Sequence, residues 1–274
     1  MFSGTTFTSA SGALLGAHQK IDRLADKQLG ELLGGNTKLF PCISDILHFE
    51  GNNGPDAIKR KSPSKDEPWH YFRPYDKKDN ELISIISSHY LRLIYSLKQK
   101  DEVRSAFEAA WLAHAIVDGL TPAHHYPYGE KIVELRGGEA LSSRTSIKEK
   151  LMMPGESIYK LFKNNWKFWG PKGLFMTHAA FEMGVATLIR PMRFNKSLFK
   201  IDDLIIINED NLGDWYRGQA QRIADMDLYH RFYDKGWNRG MARDIKFKLL
   251  PQIVNCVALM WYSAVRSANE DIIT

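Results

Sequence analysis

The sequence predicts an all-α fold, and three observations carry that expectation. Apolar residues recur at helical spacing over six segments. Strand-like runs are nearly missing. Proline, glycine and polar residues gather between the periodic segments. The first helix is read from Leu14, His18, Ile21 and Ala25 and runs on through Leu32. The second is read from Leu82, Ile85, Ile86, His89, Leu93 and Leu97. The third follows Val103, Phe107, Ala110, Trp111, His114 and Asp118 and should end near Gly119. A fourth, read from His178, Glu182, Val185 and Ile189, is stopped by Pro191. Residues 218–232 are read as a fifth. The last follows Ile245, Leu249, Ile253, Val257, Met260 and Ala264, with Pro251 expected to kink or break it. Residues 204–207 are a short apolar run that fits a strand or a buried turn equally. Residues 40–79 and 127–150 read as long loops, the kind that in compact domains often carry function.

The chain has 274 residues, 44% of them hydrophobic and 25% charged, as in an ordinary globular protein. We read it as one domain over 1–274, long enough to bury its core without a structural metal or disulfides. Its two cysteines, Cys42 and Cys256, are too few for a disulfide framework, and Cys256 sits in an apolar run that marks it as core. A net charge of +5 suits anionic substrates such as phosphoesters or lipid headgroups. The densest basic run, Lys59-Arg60-Lys61, reads as a solvated loop. No stretch approaches the ~18 uninterrupted apolar residues of a membrane span. No secretory signal is visible, so the expected location is the cytoplasm unless the sequence is part of a longer precursor.

The chemistry concentrates in A-H-A-I-V-D-G-L-T-P-A-H-H. His114 and Asp118 stand four apart on a helix, one above the other on the stripe that also holds Phe107 and Trp111. A carboxylate on an apolar stripe is costly unless a cation offsets it. Pro122 turns the chain and returns His124 to the same neighbourhood. His178 and Glu182 repeat the spacing on another helix. Asp56 closes H-F-E-G-N-N-G-P-D, His70 follows in P-W-H-Y, and His18 lies early in the first helix. Imidazole and carboxylate are the ordinary nitrogen and oxygen ligands of zinc. Each pair alone is weak evidence, and their combination is much stronger. His89, alone on an apolar face, reads as a hydrogen-bonded core residue.

In ligand order and spacing, the set resembles the zinc-dependent phospholipase C family, related in fold to the S1/P1 nucleases. The resemblance covers roughly the first 185 residues. It rests on H-x3-D-x5-H at His114, Asp118 and His124, on Asp56 with His70 fourteen residues later, on H-x3-E at His178 and Glu182, and on the early His18. The nuclease branch usually carries aspartate where this chain has Glu182, which favours the phospholipase side. The resemblance implies a compact multi-helix domain of that type and a zinc cluster. Asp56, His70, His114 and Asp118 would hold one ion, and His124, His178 and Glu182 a second. A third would lie between His18 and the other oxygen of Asp118. In secreted members, that ion also takes the amino group and carbonyl of an N-terminal tryptophan. This chain begins Met1-Phe2, so two ions are expected and the third is left open.

The implied reaction is hydrolysis of a phosphodiester by zinc-activated water, with Asp56 ligating and orienting or deprotonating that water. The substrate would be a phospholipid headgroup ester, reached by transient contact with a membrane surface. His48 and Glu50 flank the Asp56 loop as partners of the ligands or as packing, and His125 should point away from the site. Trp69, Tyr71, Phe72 and Tyr126 either line a cleft or simply pack. Two other readings stand beside this one. One is a single-strand nuclease acting on nucleic acid. The other is a metal-binding protein of the same fold without turnover.

Overall fold

A computed structural model describes residues 1, 16–50, 53–56, 71–144, 146–194 and 207–269. Among these residues the chain is all-α, with no strand. The helices are α1 (Ala17–Leu32), α2 (Ile43–Glu50), α3 (Glu81–Lys98), α4 (Glu102–Gly119), α5 (Tyr128–Leu135), α6 (Ile147–Leu151), α7 (Ile158–Trp169), α8 (Leu174–Ile189), α9 (Glu209–Ala224), α10 (Leu228–Lys235), α11 (Arg239–Asp244) and α12 (Leu250–Ala268).

Local chemistry sets many of these starts. Asp101 caps α4 by accepting from the Arg104 backbone N–H at 2.9 Å. Ser146 with Glu149 and Asn208 with Asn211 form reciprocal capping boxes on α6 and α9. Lone side-chain caps start α7 at Ser157 and α11 at Asn238.

The core is built around α4, which is buried on almost every side from Ser105 to Gly119. A helix apolar all round belongs in the middle of a bundle. α3, α2, α1 and α12 pack against it. From α12, the fully buried Trp261 indole donates to the Ala109 carbonyl at 3.1 Å. One large cluster joins these helices with α8, α9 and α10, so the described residues after Arg190 complete the core. A smaller cluster of Ile132, Met153 and Phe168 sits under α5 and α7.

Four helices fall where the periodicity puts them, and α4 ends at Gly119 as read. The differences have physical causes. Residues 218–232 are not one helix: α9 ends at Ala224 and α10 starts at Leu228, with Asp227 between them at φ +50°. Aspartate tolerates the left-handed region, and the apolar phase carries across the break. Pro251 lies in the first turn of α12, where its missing N–H costs little. The irregularity comes just before it, as a π-helical turn over Ile245–Leu249. Residues 127–150 contain α5 and α6 rather than an open loop. Residues 158–169 form α7, a helix not read from the sequence. Ile207 ends the 204–207 run as buried, non-helical chain, held by Ser263 Oγ and the Tyr90 hydroxyl; 204–206 lie outside the described residues. No helix among the described residues is long and apolar enough to cross a membrane.

Gly119 closes the tightest approach near the centre. A Cβ there would overlap the buried Tyr216 hydroxyl and a Leu82 methyl. Gly119→Ala should therefore destabilise the fold by about 1–3 kcal/mol, the ordinary cost of overpacking. Urea denaturation measures this, and an unchanged midpoint would show that α9 does not approach α4 so closely.

Candidate metal centre

The last turn of α4 carries His114 and Asp118, both about 1% exposed. The Asp118 carboxylate is surrounded by nitrogen. Its Oδ1 faces His18 Nε2 at 3.2 Å and meets the Met1 amino group, and its Oδ2 faces His114 Nε2 at 3.2 Å. His18 comes from the first turn of α1, and its ring stacks on that of His114 with centroids 4.1 Å apart. His18 Nε2 also lies 2.8 Å from the Met1 carbonyl oxygen. Asp56 Oδ1 stands 3.9 Å from His114 Nε2, and its side chain is 21% exposed.

After α4, residues Pro122–His125 form a 3-10 turn. That turn brings His124 back, and its Nδ1 donates to the Asp118 carbonyl at 3.0 Å. This bond fixes the tautomer and turns Nε2 toward α8. There it meets Glu182 Oε1 at 2.9 Å, while His178 Nε2 lies 3.2 Å from the same oxygen. The His124 and His178 rings stack 5.3 Å apart. The Met1 amino nitrogen is 3.5 Å from Glu182 and also contacts Asp118, so the two clusters share a wall.

Among the described residues, two groups of donor atoms are close enough to hold a metal ion: His18 with Glu50 and His114, and His124 with His178 and Glu182. Seven sequence-predicted residues thus fall in one buried region: His18, Asp56, His114, Asp118, His124, His178 and Glu182. The eighth, His70, lies outside the described residues, as do Trp69 and the run Lys59-Arg60-Lys61. His125 points away, bonded to the Gly119 carbonyl at 2.8 Å. His48 is exposed and pairs with Asn53. His89 bonds the buried Glu108 at 2.5 Å, a core role. Tyr71 borders the site, with its ring 5.4 Å from that of His124 and stacked on Tyr128. Phe72 is core, and Tyr126 packs on Tyr229.

Two acids stand out more than the sequence suggested. Glu50, at the end of α2, is fully buried; its Oε1 is 2.8 Å from His114 Nδ1 and 3.6 Å from His18 Nδ1. It thus backs both histidines from the side opposite Asp118. The hydrogen bond to His114 Nδ1 directs His114 Nε2 at Asp118, which makes Glu50 an orienting carboxylate as well as a possible donor. Asp22, one turn after His18, is also buried. Burial, and then the charge of Glu50, hold its carboxyl well above the usual carboxylate range. The repeated i, i+4 spacing of His18 and Asp22 was the signal for Asp22. Glu50 was read only as a partner of the ligands or as packing beside the Asp56 loop, because its contacts are far away in sequence.

Positive charge balances the acids. Burial disfavours the His114 cation, but Glu50 and Asp118 outweigh it and raise its pKa well above the ordinary imidazole value. Burial likewise opposes charge on Glu182, yet the Met1 ammonium and His178 hold it well below its usual range. Burial and the Met1 ammonium drive His124 down to about 3, and burial drives His125 to about 4.

Comparison with protein-family models, curated proteins and solved structures finds no match to this chain.

The signs of these shifts predict a pH profile. The depressed His124 and His125 stabilise the metal-free fold above the unfolded imidazole pKa of about 6.5 and lose that contribution as pH falls toward their folded values. The raised His114 contributes fully below about 6.5 and loses its contribution as pH rises through its folded pKa. Metal-free stability should peak near pH ~6.5. Metal binding displaces the His114 proton, so saturating zinc should abolish the alkaline decline. Denaturation midpoints across pH, with chelator and with zinc, measure both curves; parallel alkaline limbs would contradict the assignment.

Proposed function

We propose that this chain is a zinc-dependent phosphodiester hydrolase of the phospholipase C type. The observation that carries this reading is the spacing of the donor atoms. Zinc bonds of about 2.0–2.1 Å to nitrogen and oxygen give a tetrahedral site ligand-to-ligand edges of about 3.3 Å. The contacts His18–Asp118, His114–Asp118 and His178–Glu182 are each 3.2 Å, and His124–Glu182 is 2.9 Å. All these donors are imidazole nitrogen or carboxylate oxygen, the set zinc takes when no thiolate is offered.

In this reading Asp56, His70, His114 and Asp118 hold one ion, and His124, His178 and Glu182 hold another. His70 enters on the sequence resemblance alone. His18 and Asp118 Oδ1 define a third position, where the Met1 amino nitrogen and carbonyl oxygen also lie. A methionine backbone brings the same two atom types there that a tryptophan would. Zinc in these positions supplies Lewis-acid charge at the phosphoryl oxygens and acidifies water toward neutral pH.

The protein's own groups do the rest. Asp118 would offer Oδ1 on the His18 side and Oδ2 on the His114 side. Glu50 fixes the ring of His114. Asp56, the most exposed of these acids, orients the attacking water and receives its proton. Burial keeps the Tyr71 and Tyr128 hydroxyls protonated, so they remain donors for a phosphoryl oxygen. A neighbouring hollow between Tyr126 and Tyr229 is edged by Lys131, Lys167 and Lys172, which suits an anionic substrate. Water oxygen bonds to phosphorus, the phosphorus–alkoxyl bond breaks, and a proton goes to the departing oxygen. The products are a phosphomonoester and an alcohol, which for a phospholipid is diacylglycerol.

Elemental analysis of purified protein should find about two or three zinc per chain. The protein should cleave a phosphocholine ester rather than single-stranded DNA, and a chelator should stop it. Asp118→Asn should lose metal together with more than about a hundredfold of activity, while His125→Ala keeps its metal. Cleavage of DNA alone would favour the nuclease reading. A folded protein that takes up no zinc would overturn the proposal.

A further inference from the structure

α7 carries a surface that the metal centre does not use. Ile158, Tyr159, Phe162 and Trp166 are 76%, 73%, 72% and 69% exposed, and Trp169 is 38% exposed. At the helical angle of about 100° per residue, these five fall within an arc of about 100°. Their exposure does not come from a loose helix. Asn165 bonds both the N–H and the carbonyl of Met153, and Asn164 bonds the carbonyls of Leu135 and Pro154. Phe168 is buried on the opposite side against Phe175, and the Trp169 indole donates to the Leu151 carbonyl at 2.7 Å. The helix is fastened by one face and presents a bare aromatic face to solvent. Exposed Leu151, Met152 and Met176 extend that apolar patch beyond the helix.

The charge beside this face has one sign. Lys160, Lys163 and Lys167 flank the aromatic arc, and Lys172 follows, all exposed. From 157 to 181 the sequence contains no Asp or Glu. Just before it, Glu156 is already paired with Lys160. Tryptophan, tyrosine and phenylalanine on one side with lysines beside them is the pattern of a helix lying in a lipid–water interface. There the rings enter the headgroup boundary, and the lysine heads meet anionic lipid. A second copy across a two-fold axis would bring no carboxylate from this segment to meet those lysines.

We propose that α7 is a docking surface for an anionic phospholipid bilayer. The proposal deepens the phospholipase reading and rests on it for the choice of lipid over other anionic surfaces. The position suits that role. α7 packs on α8, which carries His178 and Glu182, and Lys167 shares a hollow with Tyr229, whose ring reaches that of His178.

Vesicle flotation with the full chain tests this. The protein should float with phosphatidylcholine–phosphatidylserine vesicles, float far less with pure phosphatidylcholine, and be released by salt. Phe162→Ser with Trp166→Ser should weaken flotation at least about tenfold, and Lys163→Glu with Lys167→Glu should weaken it further. Both pairs are exposed, and their helical circular dichroism should match the parent. Flotation should persist in Asp118→Asn. Equal binding to both vesicles, no binding, or full binding by the serine pair overturns the proposal. So does a dimer that Trp166→Ser dissociates. Failure to float with a phosphocholine ester still cleaved overturns the docking surface alone. Flotation without any cleavage overturns the hydrolase alone.

Discussion

The fold is arranged around one buried carboxylate. Asp118 lies in the most enclosed part of the most enclosed helix, where an uncompensated charge would cost several kcal/mol. Its neighbours are therefore not incidental. His18 comes from α1, His114 from one turn earlier, His124 from the turn that follows, and the amino group of Met1 reaches the same oxygen as His18. Each of these elements has an apolar reason to pack where it does, and each also delivers a nitrogen to the same point. Packing and charge compensation thus select one arrangement.

Behind this layer lies a second tier of acid. Glu50 bonds the far nitrogen of His114 at 2.8 Å and stands 3.6 Å from that of His18, and its charge helps hold the buried Asp22 carboxyl well above the usual carboxylate range. A histidine held at one ring nitrogen by a carboxylate can offer only the other, and offers it in one orientation. Such preorganisation explains why His114 Nε2 is turned to Asp118, while the His18 ring is aligned beside it by stacking. It also accounts for the raised pKa of His114, whose two ring nitrogens each face a carboxylate in a buried site.

Which parts of this were legible in the sequence follows from the range of the interactions. His114 with Asp118 and His178 with Glu182 are local pairs at helical spacing, so they were readable, and so was the end of α4 at Gly119. His124 was readable through the turn at Pro122. Glu50 was not assigned a metal role, because its contacts are with α1 and the end of α4. The approach of His18 to Asp118 joins residues 100 apart; spacing along the chain could not read it, the family resemblance implied it, and the packing of α1 on α4 produces it. α7 was not read from the sequence, although its aromatic residues recur at helical spacing with lysines on the other side. Residues 218–232 misled because the apolar phase runs on across the break between α9 and α10 at Asp227.

The unanchored side of α7 and the buried acids of α8 belong to one mechanical unit. α7 is tied to the rest by polar side chains on backbone, by Asn164 and Asn165, and by the Phe168 contact with the start of α8. α8 in turn is fixed at its middle by His178 and Glu182 against His124. Both helices are thus fastened to their surroundings at several points and not joined through a loop alone. A planar surface that took up the aromatic arc would thereby set the orientation of the His124, His178 and Glu182 cluster relative to that plane. The tyrosine- and lysine-edged hollow lies between the two, and it would then be presented to the surface at a fixed height. Orientation of this kind needs no conformational change. It requires only that the exposed face and the buried cluster share a helix pair stiff enough to hold their relative position, and the polar anchors of α7 supply that stiffness.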